Sequence, residues 1–254
     1  MKTKFDYALL EHRANNFNVA KNLYLEILSE DANNTEILHL LGILSAQDKD
    51  FEGAKSYLNK ALAINSNSAA LNNSMGNVLK NLENYVEAID YYQKAIAINK
   101  DYAVAYNNLG NVYVKLSQLE NAILEYQKAI VLNSEYADAY YNVSLIFIKL
   151  NRFDEAINNL QMTLKLTPRH FEAHCCLGRL LYQQNKLDKA ILHLQKALRI
   201  DKNSPEAHNN LGVFLLAKDK INHAIKHFNK ALILDPVSIE AFNNLGAIFL
   251  MQNN

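Results

Sequence analysis

Two groups of side chains in this sequence have types and spacing suited to chemistry. His174, Cys175 and Cys176 are consecutive, which sets an imidazole base beside two thiols, the pairing that activates a thiolate nucleophile. His223 and His227 fall one helical turn apart, a spacing able to hold zinc. Neither group is completed. No Glu turns the histidine pair into an H-E-x-x-H motif, and no third ligand accompanies it. The cysteines stand where equivalent segments of the chain carry asparagine, so they read as ordinary half-buried helix residues. No catalytic residue, metal or cofactor is assigned. A third group is larger and is made of amides, with Asn73, Asn77, Asn107, Asn108 and Asn111 as its densest part. An amide both donates and accepts, so it can pair with the N–H and C=O of an extended peptide backbone.

The elements that position these residues follow from a period. Gly42, Gly76, Gly110, Gly178, Gly212 and Gly246 lie on one 34-residue series, with Ser144 filling its gap. The chain has 7 glycines, and only Gly53 is off the series. Glycine inside a helix costs roughly 0.5–1 kcal/mol against alanine, so a cost repeated at one period needs a packing reason. A fixed period of this length is the signature of a stacked-repeat protein.

With the glycine as position 8, the repeats run 1–34, 35–68, 69–102, 103–136, 137–170, 171–204 and 205–238, followed by a partial repeat 239–254. Position 20 is alanine throughout, from Ala20 to Ala224, and position 27 is mostly alanine. Position 24 is large and apolar: Tyr24, Leu58, Tyr92, Tyr126, Leu160, Leu194 and Phe228. Positions 4, 7, 8 and 11 give one face of a first helix, and 17, 20, 24 and 27 one face of a second. Gly110 is expected to cross its partner helix opposite Ala122 and Ala129. The break falls near position 15, held by Asn15, Asn151, Asn185, Asp219 and Ser117, types that favour turns. Lys49 and Glu83 share that place, which predicts a turn that is not strictly enforced. Pro168 and Pro236 follow the second helices, and Ser204-Pro205 reads as an N-cap with proline at the first helical position.

This pattern resembles the tetratricopeptide repeat (TPR), with its small positions 8, 20 and 27, its hydrophobic positions 4, 7, 11 and 24 and its proline at 32. The resemblance covers essentially the whole chain. It implies an all-α, right-handed α-solenoid, a TPR superhelix of antiparallel helix pairs, with 1–254 as a single array of seven pairs and a final helix. It also implies that first helices line a concave groove. On that basis the peptide-binding candidates are Asn73, Asn77, Asn107, Asn108, Asn111 and Lys115, continuing into Tyr141, Asn142, Leu145, Ile148, Lys149, Arg179, Tyr182 and Asn210. Backbone recognition is assigned to the asparagines, and the ligand's apolar side chains to the later residues. The Asn-Asn-Leu-Gly tracts are partly similar to the O-GlcNAc transferase TPR superhelix, with Ser74 and Cys176 interrupting the ladder. Cochaperone-type carboxylate clamps require cations that Asn73, Asn108, Asp138 and Asn142 do not supply.

Composition limits the partners. Lys plus Arg and Asp plus Glu are 26 each, so no basic excess draws the chain to nucleic acid or anionic lipid. The 2 cysteines form no disulfide framework and fit a reducing compartment. With no signal-peptide pattern and no membrane-length apolar run, the expected location is cytoplasmic. The expected function is a non-catalytic scaffold that binds an extended peptide or partner segment. The alternative is the substrate-recruiting N-terminal domain of a larger enzyme, such as an O-GlcNAc-transferase-like glycosyltransferase. The terminal helix 239–251 is expected to pack Phe242, Leu245 and Phe249 on Ala224, Phe228 and Ala231. Its far side would be left for self-association or docking.

Overall fold

The computed structural model describes residues 3–252. Among them are fifteen α-helices and no strand, in two compact units, Met1–Ser134 and Glu135–Asn254. The first unit holds α1 (Lys4–Arg13), α2 (Phe17–Glu30), α3 (Thr35–Gln47), α4 (Phe51–Ile64), α5 (Ala69–Asn81), α6 (Tyr85–Ile98), α7 (Ala103–Lys115) and α8 (Leu119–Leu132). The second holds α9 (Ala137–Lys149), α10 (Phe153–Leu166), α11 (Phe171–Gln183), α12 (Leu187–Ile200), α13 (Pro205–Leu216), α14 (Ile221–Leu234) and α15 (Ile239–Gln252). Within each unit, successive antiparallel pairs pack side by side as a solenoid. No helix among the described residues is long and apolar enough to cross a membrane.

Local chemistry starts and stops these helices. Thr3 opens α1 with a capping box closed by Asp6, and Asn34, Asp50, Ser68 and Ser204 each accept a hydrogen bond from the backbone N–H three residues on. The glycine off the period, Gly53, sits under its cap, because a Cβ there would collide with the Asp50 carboxylate.

Every turn within a pair is closed by one left-handed residue. Asn15, Lys49, Glu83, Ser117, Asn151, Asn185 and Asp219 have φ between 56° and 63°. The next residue's N–H reaches back to the carbonyl five residues earlier, as in Asn16→Glu11 and Asn84→Leu79, both 2.9 Å. This is the Schellman closure, which satisfies the last carbonyls of the first helix. The sequence expectation of a loosely enforced turn is corrected here. Lys49 and Glu83 adopt the same conformation as the asparagines, because the hydrogen bonds select the backbone whatever the side chain.

From α3 onward, the residues at positions 3, 7 and 10 of each first helix are buried, as with Leu71, Met75 and Val78 in α5. Positions 4, 8 and 11 face their own second helix. The glycines explain the second face. A Cβ on Gly110 would lie 2.7 Å from Tyr126 Cε1, and on Gly212 2.6 Å from Phe228 Cε1. The nearest groups to Gly110 are therefore ring atoms of Tyr126, not Ala122 and Ala129 as expected from the sequence.

The terminal helix also departs from expectation. α15 buries Ala241, Leu245 and Ile248, at 0, 7 and 1 % exposure, while Phe242 and Phe249 are 56 and 51 % exposed. Phe242 and Phe249 occupy positions 4 and 11, the face that a second helix covers in earlier repeats. Gly246 accordingly has nothing within 4 Å of a Cβ built on it. The side chain of Met251, the last residue of the predicted docking helix, lies outside the described residues.

Candidate functional site

In the first unit, α3, α5 and α7 carry a polar row along one side. Position 5 of one repeat bonds position 6 of the next. His39 Nε2 pairs with Ser74 Oγ at 2.7 Å, and Asn108 Nδ2 donates to Asn73 Oδ1 at 3.0 Å. Asn73 and Asn107 are buried, at 6 and 5 % exposure, so they form the wall more than its lining. Asn77 and Asn111 are half-buried and differently held. The hydroxyls of Tyr92 and Tyr126 donate to Asn77 Oδ1 and Asn111 Oδ1, each at 2.7 Å. That contact fixes the amide orientation and leaves each Nδ2, with its two N–H groups, without a partner among the described residues. Burial puts both tyrosine hydroxyls well above the ordinary phenol range, so they remain donors.

Two cations stand at the end of this row. Burial and the neighbouring Lys115 ammonium both lower the Lys80 pKa, and neither lysine is in an ion pair among the described residues. Asn77 and Asn81 also line a cavity of about 230 Å³ between α3 and α5, floored by Gly42, Ile43 and Val78.

The second unit gathers some of its candidates around Cys176. The Tyr141 hydroxyl and the Cys176 thiol influence each other electrostatically, and the Tyr141 ring lies 4.5 Å from that of His170. Arg179 Nη2 approaches Cys176 Sγ at 3.8 Å. Ile148 and Arg179 line a cavity of about 240 Å³ with Cys176, Phe153 and Gln183. Other candidates stand apart. Tyr182 stacks on Phe214 with centroids 4.3 Å apart and rings at 8°. Leu145 and Lys149 are exposed, and Asn142 and Asn210 are half-buried. Beside Asn210, Asn209 Oδ1 accepts from Asn244 Nδ2 at 2.9 Å, repeating the contact seen in the first unit.

The cysteine–histidine run does not form a nucleophile pair. Burial pushes the Cys175 thiol up to about 12 and raises that of Cys176, the reverse of an activated thiol. His174 turns away from both thiols. Its Nε2 bonds the Pro168 carbonyl at 3.1 Å, and its Nδ1 meets His193 Nδ1 at 2.9 Å. One repeat on, His208 makes the same two contacts, with the Lys202 carbonyl and with His227 Nδ1. His227 is therefore paired across to α13, not along its own helix with His223. These cross-helix histidine pairs went unread in the sequence. The signal was there, because His174 and His208 share position 4 while His193 and His227 share position 23.

Comparisons with known proteins agree with this architecture. Models described as "TPR repeat" match residues 145–185 and 178–219, and models described as "Tetratricopeptide repeat" match 35–68, 66–132 and 205–236. Among solved structures, YrrB, "a TPR protein with an unusual peptide-binding site", is similar with a TM-score of 0.63 and 26 % identity, over 73 % of this chain and 96 % of that one. MamA gives 0.56 and 28 %, over 65 and 95 %. The pilF protein of Pseudomonas aeruginosa gives 0.76 over 84 and 97 %, and at 20 % identity it speaks for the fold alone. No curated protein sequence matches the chain.

Proposed function

The chain belongs to the tetratricopeptide-repeat family of protein-interaction scaffolds, and from that premise we propose that α5 and α7 of the first unit hold an extended peptide by its backbone. One observation carries the proposal. Asn77 and Asn111, one repeat apart, have their oxygens tied down by Tyr92 and Tyr126, so both present N–H donors in a fixed orientation. Fixed donors at a repeat spacing suit backbone carbonyls of an extended chain, and prior ordering lowers the entropy lost on binding. Lys80 and Lys115 then favour an acidic group on the same ligand. The peptide-binding site described for YrrB, a similar protein, supports the reading. In the second unit, Tyr141, Ile148 and Arg179 offer a mixed apolar and cationic lining for ligand side chains. The role requires no catalytic step.

The test uses Asn77→Asp combined with Asn111→Asp. Aspartate keeps the oxygen that accepts from each tyrosine but replaces the donating NH2 with a second acceptor. On arrays of extended peptides, binding is expected to fall by roughly tenfold or more, since a charged group facing a carbonyl loses a hydrogen bond and adds repulsion. Unchanged binding by a variant that melts like the wild type would remove the proposal.

A further inference from the structure

The histidine pair of α11 and α12 borders a cavity of about 490 Å³ that plays no part in peptide capture. Arg169, Lys196 and Arg199 line it together with His174 and His193, and no carboxylate does. None of the three cations is in an ion pair among the described residues. Leu164 and Ile200 add an apolar wall. In a chain whose net charge is zero, such a local excess of unpaired cations stands out.

The chain supplies its own control. The pair His208–His227 reproduces the histidine geometry, so that geometry by itself is a packing device. Lys230 repeats Lys196 beside that second pair, but the two arginines are not reproduced. In other repeats the place of Arg169 is taken by Asn33, Asn67, Asp101, Glu135, Asn203 or Val237. Arg199 is the only arginine at its place, where Ile233 follows in the next repeat. Two of the chain's five arginines meet here.

Proton bookkeeping within the pair sharpens the chemistry. A carbonyl only accepts, so His174 Nε2–H donates to Pro168, and His174 Nδ1 is bare. His193 Nδ1–H then donates to it, and His193 Nε2 is left as an acceptor with no partner among the described residues. Burial, with the neighbouring His174 and Lys196, pushes His193 down to about 4, so the ring stays neutral near pH 7.

We infer that this cavity binds a phosphate group that retains one proton, with Arg169, Lys196 and Arg199 on the charged oxygens and the P–OH donating to His193 Nε2. Guanidinium groups match phosphate oxygens in geometry. The acceptor nitrogen distinguishes hydrogen phosphate from sulfate, which has the same charge and no proton. Free phosphate and a phosphate ester share this chemistry.

The experiment is a nuclear magnetic resonance titration of the full chain, following the histidine ring protons with inorganic phosphate at mildly alkaline pH and constant ionic strength. Saturable shifts are expected at His174 and His193 and not at His208 and His227. Sulfate is expected to bind several-fold more weakly. Arg169→Gln with Arg199→Gln is expected to weaken phosphate by roughly tenfold for each guanidinium removed, with an unchanged melting temperature. Phenyl phosphate, compared with the free ion at about pH 5.5, below its second pKa of about 6 so that it keeps a proton, supports an ester site if it binds tighter than the free ion and a free-phosphate site if it does not. Equal shifts at both histidine pairs, no saturation, or full binding by the double variant would overturn the site. Equal affinity for phosphate and sulfate would overturn the role of His193.

Discussion

Replacing Gly110 by alanine tests the packing logic of the repeat. Alanine gains about 1 kcal/mol of helix propensity over glycine. At Gly110 its Cβ would lie 2.7 Å from Tyr126 Cε1 and 2.9 Å from Cδ1. Carbon atoms rest about 3.5–4.0 Å apart, so the ring would have to retreat by close to an ångström. It has little room, being 1 % exposed and tied by its hydroxyl to Asn111. Overpacking costs about 1–3 kcal/mol and a lost hydrogen bond about 1 kcal/mol, so after the propensity gain the net loss is about 1–3 kcal/mol. Gly246→Ala meets nothing within 4 Å and keeps the whole propensity gain. Gly178→Ala, 3.3 Å from Leu194 Cγ, falls between them. The decisive variant is Gly110→Ala with Tyr126→Leu. Ser144, which does carry a side chain, already faces a repeat with Leu160 in the tyrosine's place. Urea unfolding followed by circular dichroism should show a favourable coupling of about 1–3 kcal/mol between the two changes. Additive effects, or a Gly110→Ala chain as stabilised as Gly246→Ala, would refute the reasoning.

Two further outcomes follow from conformations already described. Glu83→Gly and Lys49→Gly each relieve a left-handed residue with a Cβ and should stabilise by about 0.5–1 kcal/mol, raising the melting temperature by about 2–3 °C. The same change at Asn15 should yield less, since asparagine tolerates that region. Acid should weaken the second unit through His193. Its folded-state pKa of about 4 lies below the ordinary 6.5, so the unfolded chain binds the proton first. The stability that neutral His193 contributes is complete above about pH 6.5 and is lost as pH falls toward about 4. Thermal melts across that window should slope less for His193→Phe than for the wild type.

The period, the helix pairs and the small positions were legible because one side chain type recurs at one phase. Partnerships between helices were not. Which residue faces Gly110 depends on the rotation of one helix about another, and the spacing within each helix carries no record of that angle. Positions 3 and 10 escaped notice as core for the same reason, since residues such as Ala105 and Val112 announce no partner. Phe242 and Phe249 were expected inside because aromatic residues usually are, yet among the described residues the helix that buries their counterparts has no equivalent beside α15. The asparagines were read as a row on chemical grounds. Their division into wall residues such as Asn73 and fixed donors such as Asn77 needed the positions of Tyr92 and Tyr126.

The left-handed turn residue has an evolutionary consequence. Every pair is closed by the same torsion and the same two backbone hydrogen bonds, and the side chain at the hinge is nearly free to vary. A segment of one period therefore enters and leaves its neighbours with unchanged backbone geometry. Copying or losing such a segment leaves each remaining junction intact, so unequal recombination at the gene level can lengthen or shorten the chain in whole repeats. Insertion of a single residue at the hinge has no such tolerance, because it would strip the last carbonyls of the first helix of their donors. Length in this architecture varies readily in steps of a repeat and poorly in steps of a residue.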